Sequence, residues 1–278
     1  MIVPGSDIAD LAAIAAHYDD LDEFYRSIWG SNIHHGYWIT GSESSDEAVL
    51  NLTRLVARQA SINPGDRVCD LGCGYGEVAL TLNREYGAQV TGLTISAKQH
   101  QHAQAAAGNE AVKFLLRDAL NNNLSAQAFD AVIAVESSEH MPDKLAFLRE
   151  MYRLLRPGGR CVVTAWLARG RPAAWETKYL LEPICAEGCL PNLASATEFQ
   201  NMLHNAGFDD IEFLDMTRSV RKTWSLCARR VINTYFSDPQ FRRMHADPHF
   251  ANRVFAKTVF RIWLAYRIGS MRYGCFSA

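Results

Sequence analysis

Residues 67–82 read "RVCDLGCGYGEVALTL": a short apolar run, glycines at 72, 74 and 76, then apolar positions at helical spacing. A buried strand that enters a glycine-rich turn and leaves as a helix lets a ligand approach backbone where side chains would clash. From about residue 66 the same alternation repeats. Strands are predicted at Arg67–Leu71, Gln89–Thr94, Val112–Arg117, Asp130–Val135 and Arg160–Trp166, with helices at 75–86, 96–107 and 143–155 between them. "RPGGR" at 156–160 predicts a helix stop and a turn into the fifth strand. Repeated strand–helix units imply an α/β fold, a mostly parallel sheet with helices on both faces. A helix at 196–206, a strand at 209–215, helices over 224–266 and a last strand at Arg272–Ser277 complete the pattern.

The glycine spacing narrows the ligand. A dinucleotide loop spaces its glycines G-x-G-x-x-G so that a pyrophosphate rests on a helix N-terminus, whereas here the spacing is G-x-G-x-G with Asp70 just before it. A carboxylate at that point repels a pyrophosphate and suits a ligand that carries an ammonium group. S-adenosylmethionine (SAM) is such a ligand.

"VCDLGCGYG" (68–76) resembles the first motif of the class I SAM-dependent methyltransferases. That family's second strand commonly ends in an acidic residue that binds the ribose; "VTGLTISAKQ" has none and offers Thr94, Ile95 and Gln99, as in the branch that includes tocopherol methyltransferases and cyclopropane fatty acid synthases. "IWGSNIHHGYW" at 28–38 and "VESSEHMPDK" at 135–144 resemble motifs of the tocopherol methyltransferase-like group, to which plant indole alkaloid N-methyltransferases are also related. The likeness runs from about residue 17 to 215 and more weakly to the end.

This resemblance implies a Rossmann-like seven-stranded sandwich with its last strand reversed. A helical cap is expected over residues 1–62, a SAM-binding core over 63–168, and a lid insertion with the remaining core elements over 169–278, all in one methyltransferase domain. It also implies SAM as cofactor and S-adenosylhomocysteine (SAH) as product. The cofactor is expected on Asp70, Gly72, Gly74 and Gly76, on Thr94, Ile95 and Gln99 at the ribose, and on Asp118, Ala119 and Val135 at the adenine. Tyr18, Ile33 and His34 of the cap are expected over its methionine end. His34 and His35 are neighbours, so one of the two is expected to face inward. Glu139, His140 and His35 are the candidates for a general base or substrate anchor, the first two at the sheet edge where open α/β sheets bind ligands. Trp166, Trp175 and Trp224 are expected to line an apolar acceptor pocket.

The expected reaction is methyl transfer to a small hydrophobic acceptor, foremost a ring or alkene carbon of a prenylated natural product or lipid quinol. Three alternatives stay open: an N- or O-methyltransferase of an alkaloid or phenol, a prenyl diphosphate C-methyltransferase that uses Arg218, Arg221 and Lys222, and a cyclase that binds SAM without transferring its methyl.

Composition excludes other classes. With 48% hydrophobic and 21% charged residues over 278 positions the chain reads as globular rather than disordered. Its apolar segments are interrupted by charge, the N-terminus lacks a basic leader, and a cytoplasmic protein without integral membrane contact is expected. Seven scattered cysteines, with Cys185 and Cys189 one helical turn apart, suggest neither a disulfide framework nor a metal site. The net charge of −2 hides an asymmetry: residues 217–278 hold twelve Lys or Arg against Asp238 and Asp247, a net of +10, which leaves −12 for the rest. The basic segment carries no nucleic-acid-reading motif, so no nucleic-acid partner is expected; an anionic ligand or lipid surface is one it could meet. Assembly into a homo-oligomer is left open.

Overall fold

The strand–helix alternation closes into one seven-stranded sheet. In chain order its strands are β1 (Arg67–Leu71), β2 (Gln89–Thr94), β3 (Val112–Leu116), β4 (Phe129–Val135), β5 (Leu155–Ala168), β6 (Glu212–Asp215) and β7 (Met271–Ser277). They lie side by side as β3-β2-β1-β4-β5-β7-β6, the first five parallel and β7 antiparallel to both of its neighbours. The computed structural model describes residues 3–4, 11–20, 22, 34–108, 111–246 and 255–278.

The helices are α1 (Leu11–Asp20), α2 (Ser45–Gln59), α3 (Glu77–Tyr86), α4 (Ala97–Ala107), α5 (Lys144–Leu154), α6 (Ala174–Glu176), α7 (Glu182–Glu187), α8 (Ala196–Ala206), α9 (Thr217–Val220), α10 (Lys222–Ser237), α11 (Pro239–Ala246) and α12 (Phe255–Ile268). A π-helical turn, Thr177–Leu181, joins α6 to α7. Local chemistry sets several of the ends. Ser96 and Asp143 accept the N–H groups of Gln99 and Ala146 as N-caps, and Ser195 and Glu198 form a reciprocal capping box. Because the central strands are covered on both faces, Val68, Cys69, Leu71 and Val132, Ile133, Ala134 are all buried in unbroken runs.

Several boundaries differ from the sequence-based expectation: the strands expected at 130–135 and 272–277 each start one residue earlier, the one expected from 209 starts at Glu212, and the fifth ends at Ala168 instead of Trp166. β5 begins at Leu155 rather than Arg160, because Leu155 already pairs with Phe129. "RPGGR" is therefore an irregular strand entry, with a register shift against β4 and Gly158 at φ +74°, where a turn was expected. Val112–Arg117 ends one residue earlier, at Leu116.

The strand order reverses direction between β1 and β4, which both start from the centre of the sheet. Ligands bind at such a switch point, beyond the strands' carboxyl ends. Helix α1 is anchored at that edge: Ser96 Oγ donates to Asp19 Oδ1 at 2.5 Å and the Lys98 ammonium to the Asp19 carbonyl at 2.6 Å. Just beyond it, Tyr75 of the glycine loop donates its hydroxyl to Asp22 at 2.6 Å.

Candidate active site

The glycine loop leaves β1 with Gly72, Gly74 and Gly76 at φ +88°, +54° and +86°, a region that L side chains rarely adopt. Space forbids side chains at two of them as well. A Cβ on Gly72 would lie 2.3 Å from Ser137 Cβ, and one on Gly76 would lie 2.4 Å from Phe114. At Gly74 it would meet nothing, so the backbone there faces open space.

Asp70, one step before the loop, is 1% exposed, and neither carboxylate oxygen has a hydrogen-bond partner among the described residues. Burial alone pushes its pKa from 3.8 up to about 7. An unpaired buried carboxyl is costly unless a ligand completes it. At the end of β2, Thr94 Oγ1 donates to Gln99 Oε1 at 2.9 Å, which orients the amide with its NH2 turned away from Thr94. Asp118 also lines the crevice, but both of its oxygens serve the local turn, accepting Leu120 N–H and the Asn121 amide at 2.9 and 3.0 Å.

At the other end of the crevice the organising residue is Glu136, the residue after β4, held at φ +52°. Four donors converge on its carboxylate: the His35 N–H (2.7 Å), His35 Nδ1 (2.9 Å), the Trp166 indole N–H (2.8 Å) and the Tyr273 hydroxyl (2.8 Å). Burial opposes ionisation, yet His35 and the other donors outweigh it and hold the pKa at about 2. Trp224 donates its indole N–H to His35 Nε2 at 2.6 Å. An indole only donates, so Nε2 accepts and Nδ1 carries the proton given to Glu136.

Glu139 is 2% exposed and accepts the Trp166 backbone N–H. Burial pushes its carboxyl well above the ordinary range, toward the neutral form, while Lys144, buried beside it, is pulled down by the same cause. The Lys144 ammonium donates to the carbonyls of Glu139 and Met141. His140 has Nδ1 3.3 Å from the Cys189 carbonyl and Nε2 2.7 Å from the Tyr18 hydroxyl. The whole crevice encloses about 1580 Å³, its solvent-facing mouth included, with the apolar Met141, Trp166, Ile184, Leu190, Trp224 and Ile262 walling one end.

Most of the residues expected from sequence meet around this one space: Tyr18, His34, His35, Asp70, Gly72, Gly74, Thr94, Ile95, Gln99, Asp118, Ala119, Val135, Glu139, His140, Trp166 and Trp224 all line it. Gly76 stands behind it, against Phe114 and Ala103. Ile33 lies outside the described residues. Three expectations change. Trp175 is 53% exposed and is not part of the pocket wall, because it sits on the outer side of α6 ahead of the π turn. His35, expected as a general base or substrate anchor, has both ring nitrogens engaged within the protein, with Glu136 and Trp224. His34 and His35 are both buried, at 8% and 2% exposure, since residues 34–38 form no regular strand that would make neighbours alternate. Glu136 and Tyr273 were not singled out. The one available signal for Glu136 was its place immediately after β4 at the ligand-binding edge.

The chain matches the family described as mycolic acid cyclopropane synthetase over residues 6–235. It belongs to that family. It is 34% identical over 221 residues to 27-O-demethylrifamycin SV methyltransferase of Amycolatopsis mediterranei, covering 78% of this chain and 81% of the other. It is 32% identical over 241 residues to the chloroplastic tocopherol O-methyltransferase of Arabidopsis thaliana, covering 79% and 69%. Among solved structures, a mycolic acid cyclopropane synthase complexed with SAH and CTAB superposes with a TM-score of 0.85 over 96% of this chain and 97% of the other, at 21% identity. The chain is thus a class I SAM-dependent methyltransferase of the tocopherol methyltransferase and cyclopropane synthase group, and SAM is its cofactor. Its own residues fit that cofactor: the buried carboxyl of Asp70, without a partner among the described residues, calls for a cationic group, and the backbone at Gly74 faces open space.

Proposed function

We propose that the enzyme methylates a hydroxyl oxygen of a small, largely apolar natural product, with His140 as general base. The observation that carries this reading is the hydrogen-bond pattern of the His140 ring. A carbonyl oxygen only accepts, so the contact with Cys189 assigns the proton to Nδ1; Nε2 then keeps its lone pair, on a phenolic hydroxyl 2.7 Å away. That is the arrangement a base needs toward an acceptor hydroxyl, with the Tyr18 phenol showing the bond the ring makes.

When bound, SAM supplies a methyl group activated on a sulfonium sulfur. The chain's own part is orientation and proton handling. Asp70 would hold the ammonium, and the amide of Gln99 the ribose, with Ala119 and Val135 against the adenine. Met141, Ile184, Leu190, Trp166 and Trp224 favour an apolar acceptor body and exclude water. His140 Nε2 takes the proton that the acceptor oxygen must lose, and the anionic Glu136 fixes Trp166 and His35, the latter in turn holding Trp224. The names of both relatives described above refer to an oxygen position, which agrees with this reading.

A second reading, methylation of a ring carbon, is favoured by one observation. Burial raises Glu139 toward the range of a base that works near neutral pH, and a carbon acceptor must shed a proton after it is methylated. The two are separated by offering methyl-labelled SAM with a panel of hydroxylated macrolides, prenylated quinols and phenols. Label in a methoxy group that disappears in His140→Ala and survives in Glu139→Gln supports the oxygen reading. Label on carbon that disappears in Glu139→Gln replaces it with the other.

A further inference from the structure

Trp175 and the exposed cations of the C-terminal segment take no part in the crevice, and the π turn that follows Trp175 packs on α12. Helix α12 is two-faced. Its inner side brings Thr258 and Ile262 to the pocket, while Phe260, Leu264 and Ile268 stand 38–39% exposed on the other side, with Lys257 and Arg267 exposed in the same helical stripe. Helix α10 repeats this, with Trp224 in the pocket wall and Phe236 76% exposed near the exposed Arg229. The π turn packs on α12 and adds Tyr179, 61% exposed, just after Trp175.

Among the described residues, none of Lys178, Arg229, Lys257 and Arg267 pairs with a carboxylate. Lys178 and Arg267 instead lie over the rings of Tyr179 and Trp263, at 5.4 and 4.7 Å. The nearby acids are mostly spent: Glu176 pairs with Arg169 and Glu187 with Arg261, while Glu182 is exposed. The surface thus interleaves large apolar side chains with unneutralised cations.

We propose that this outer face of α6, the π turn, α10 and α12 docks on an anionic lipid bilayer, so that a lipophilic acceptor passes from the membrane into the pocket that the inner faces of α10 and α12 wall. Apolar groups alternating with Lys and Arg at helical spacing are the pattern of an interfacial helix. Charge selects this occupant over a second copy of the chain, because an isologous contact would set the same cations against each other. The delivery half of the idea rests on the apolar acceptor proposed above. The docking half does not, and its test contains no acceptor.

The test is flotation of the full chain with phosphatidylcholine vesicles, with and without phosphatidylglycerol, at low and raised salt. Docking predicts co-flotation with the anionic vesicles alone, weakened by salt. Arg229→Glu/Lys257→Glu should lower partitioning by about tenfold or more, since each basic residue near the surface adds appreciably to binding. Phe236→Ser/Phe260→Ser should lower it too, with SAH affinity and melting temperature kept in both variants. The wild-type comparison between the two vesicle types stands whether or not a variant folds. Failure to float, equal flotation with both vesicle types, or folded variants that float like wild type each overturn the proposal. So does a dimer, or a complex with an acidic carrier protein, that the charge reversals abolish while lipid binding persists.

Discussion

Asp70→Asn should make the ligand-free enzyme more stable while it cripples cofactor binding. Asp70 sits in the folded chain with a pKa of about 7 against an ordinary 3.8, and burial is the cause. Its folded value lies above its unfolded one, so the cost of ionising it is absent below pH 3.8, grows between the two values and is complete above pH 7. At roughly 1.4 kcal/mol per unit, that cost is about 4 kcal/mol. A buried asparagine returns part of it, because an amide without partners costs about 1–3 kcal/mol. The net expectation is a gain of about 1–3 kcal/mol at pH 8, or several degrees in melting temperature, that vanishes or reverses near pH 4. Binding moves the other way. Loss of a charge-assisted contact to the ammonium should weaken SAH by about tenfold to a hundredfold. In the wild type, SAH affinity should fall as pH drops below 7, by up to about tenfold per unit, because the carboxyl must give up a proton to bind. Differential scanning calorimetry without ligand and titration calorimetry with SAH read the two halves. A ligand-free Asp70→Asn protein less stable than wild type at pH 8, or one that binds SAH as before, refutes the reasoning.

Glu136→Gln replaces an acceptor of four donors with an amide that accepts on one side and donates into two of them on the other. A loss of about 3 kcal/mol is expected at pH 7 in urea unfolding. Because the folded pKa is depressed from 4.5 to about 2, that advantage of the wild type is present above pH 4.5 and fades as pH falls toward 2, so the two proteins should converge in acid. His140→Ala should lower kcat by about 10²–10⁴ with SAH affinity nearly unchanged, whereas Tyr18→Phe, which removes the hydroxyl on Nε2 and leaves the imidazole in place, should cost far less. Gly72→Ala sets a Cβ 2.3 Å from Ser137 Cβ at φ +88°, and should cost about 1–3 kcal/mol of stability and loosen the loop enough to weaken SAH in calorimetry.

The core was legible because its signals are local. A strand buried on both faces must be an apolar run, as Ala131–Val135 is and as Val68–Leu71 is apart from Asp70, and a turn at positive φ needs glycine, as at 72, 74 and 76. "RPGGR" misled because the same residues that end a helix also serve a bulged strand entry, and only the pairing of Leu155 with Phe129 decides between them. Trp175 misled because a tryptophan in a lid segment has no periodicity to say which side it takes. The role of Glu136 was out of reach: its partners His35, Trp166 and Tyr273 stand 101, 30 and 137 residues away, and their convergence is a property of the sheet order and the cap. Pairing of His35 with Trp224 across 189 residues is of the same kind, and it occupies the second ring nitrogen of His35.

The position of the methyl group in the product decides whether this enzyme methylates oxygen. With methyl-¹³C SAM and the acceptor that yields SAH most rapidly, carbon NMR of the product should show the label as a methoxy carbon in the wild type, with product formation collapsing in His140→Ala. Label bound to carbon rules out oxygen methylation, and a product formed equally well without the His140 imidazole rules out His140 as the base.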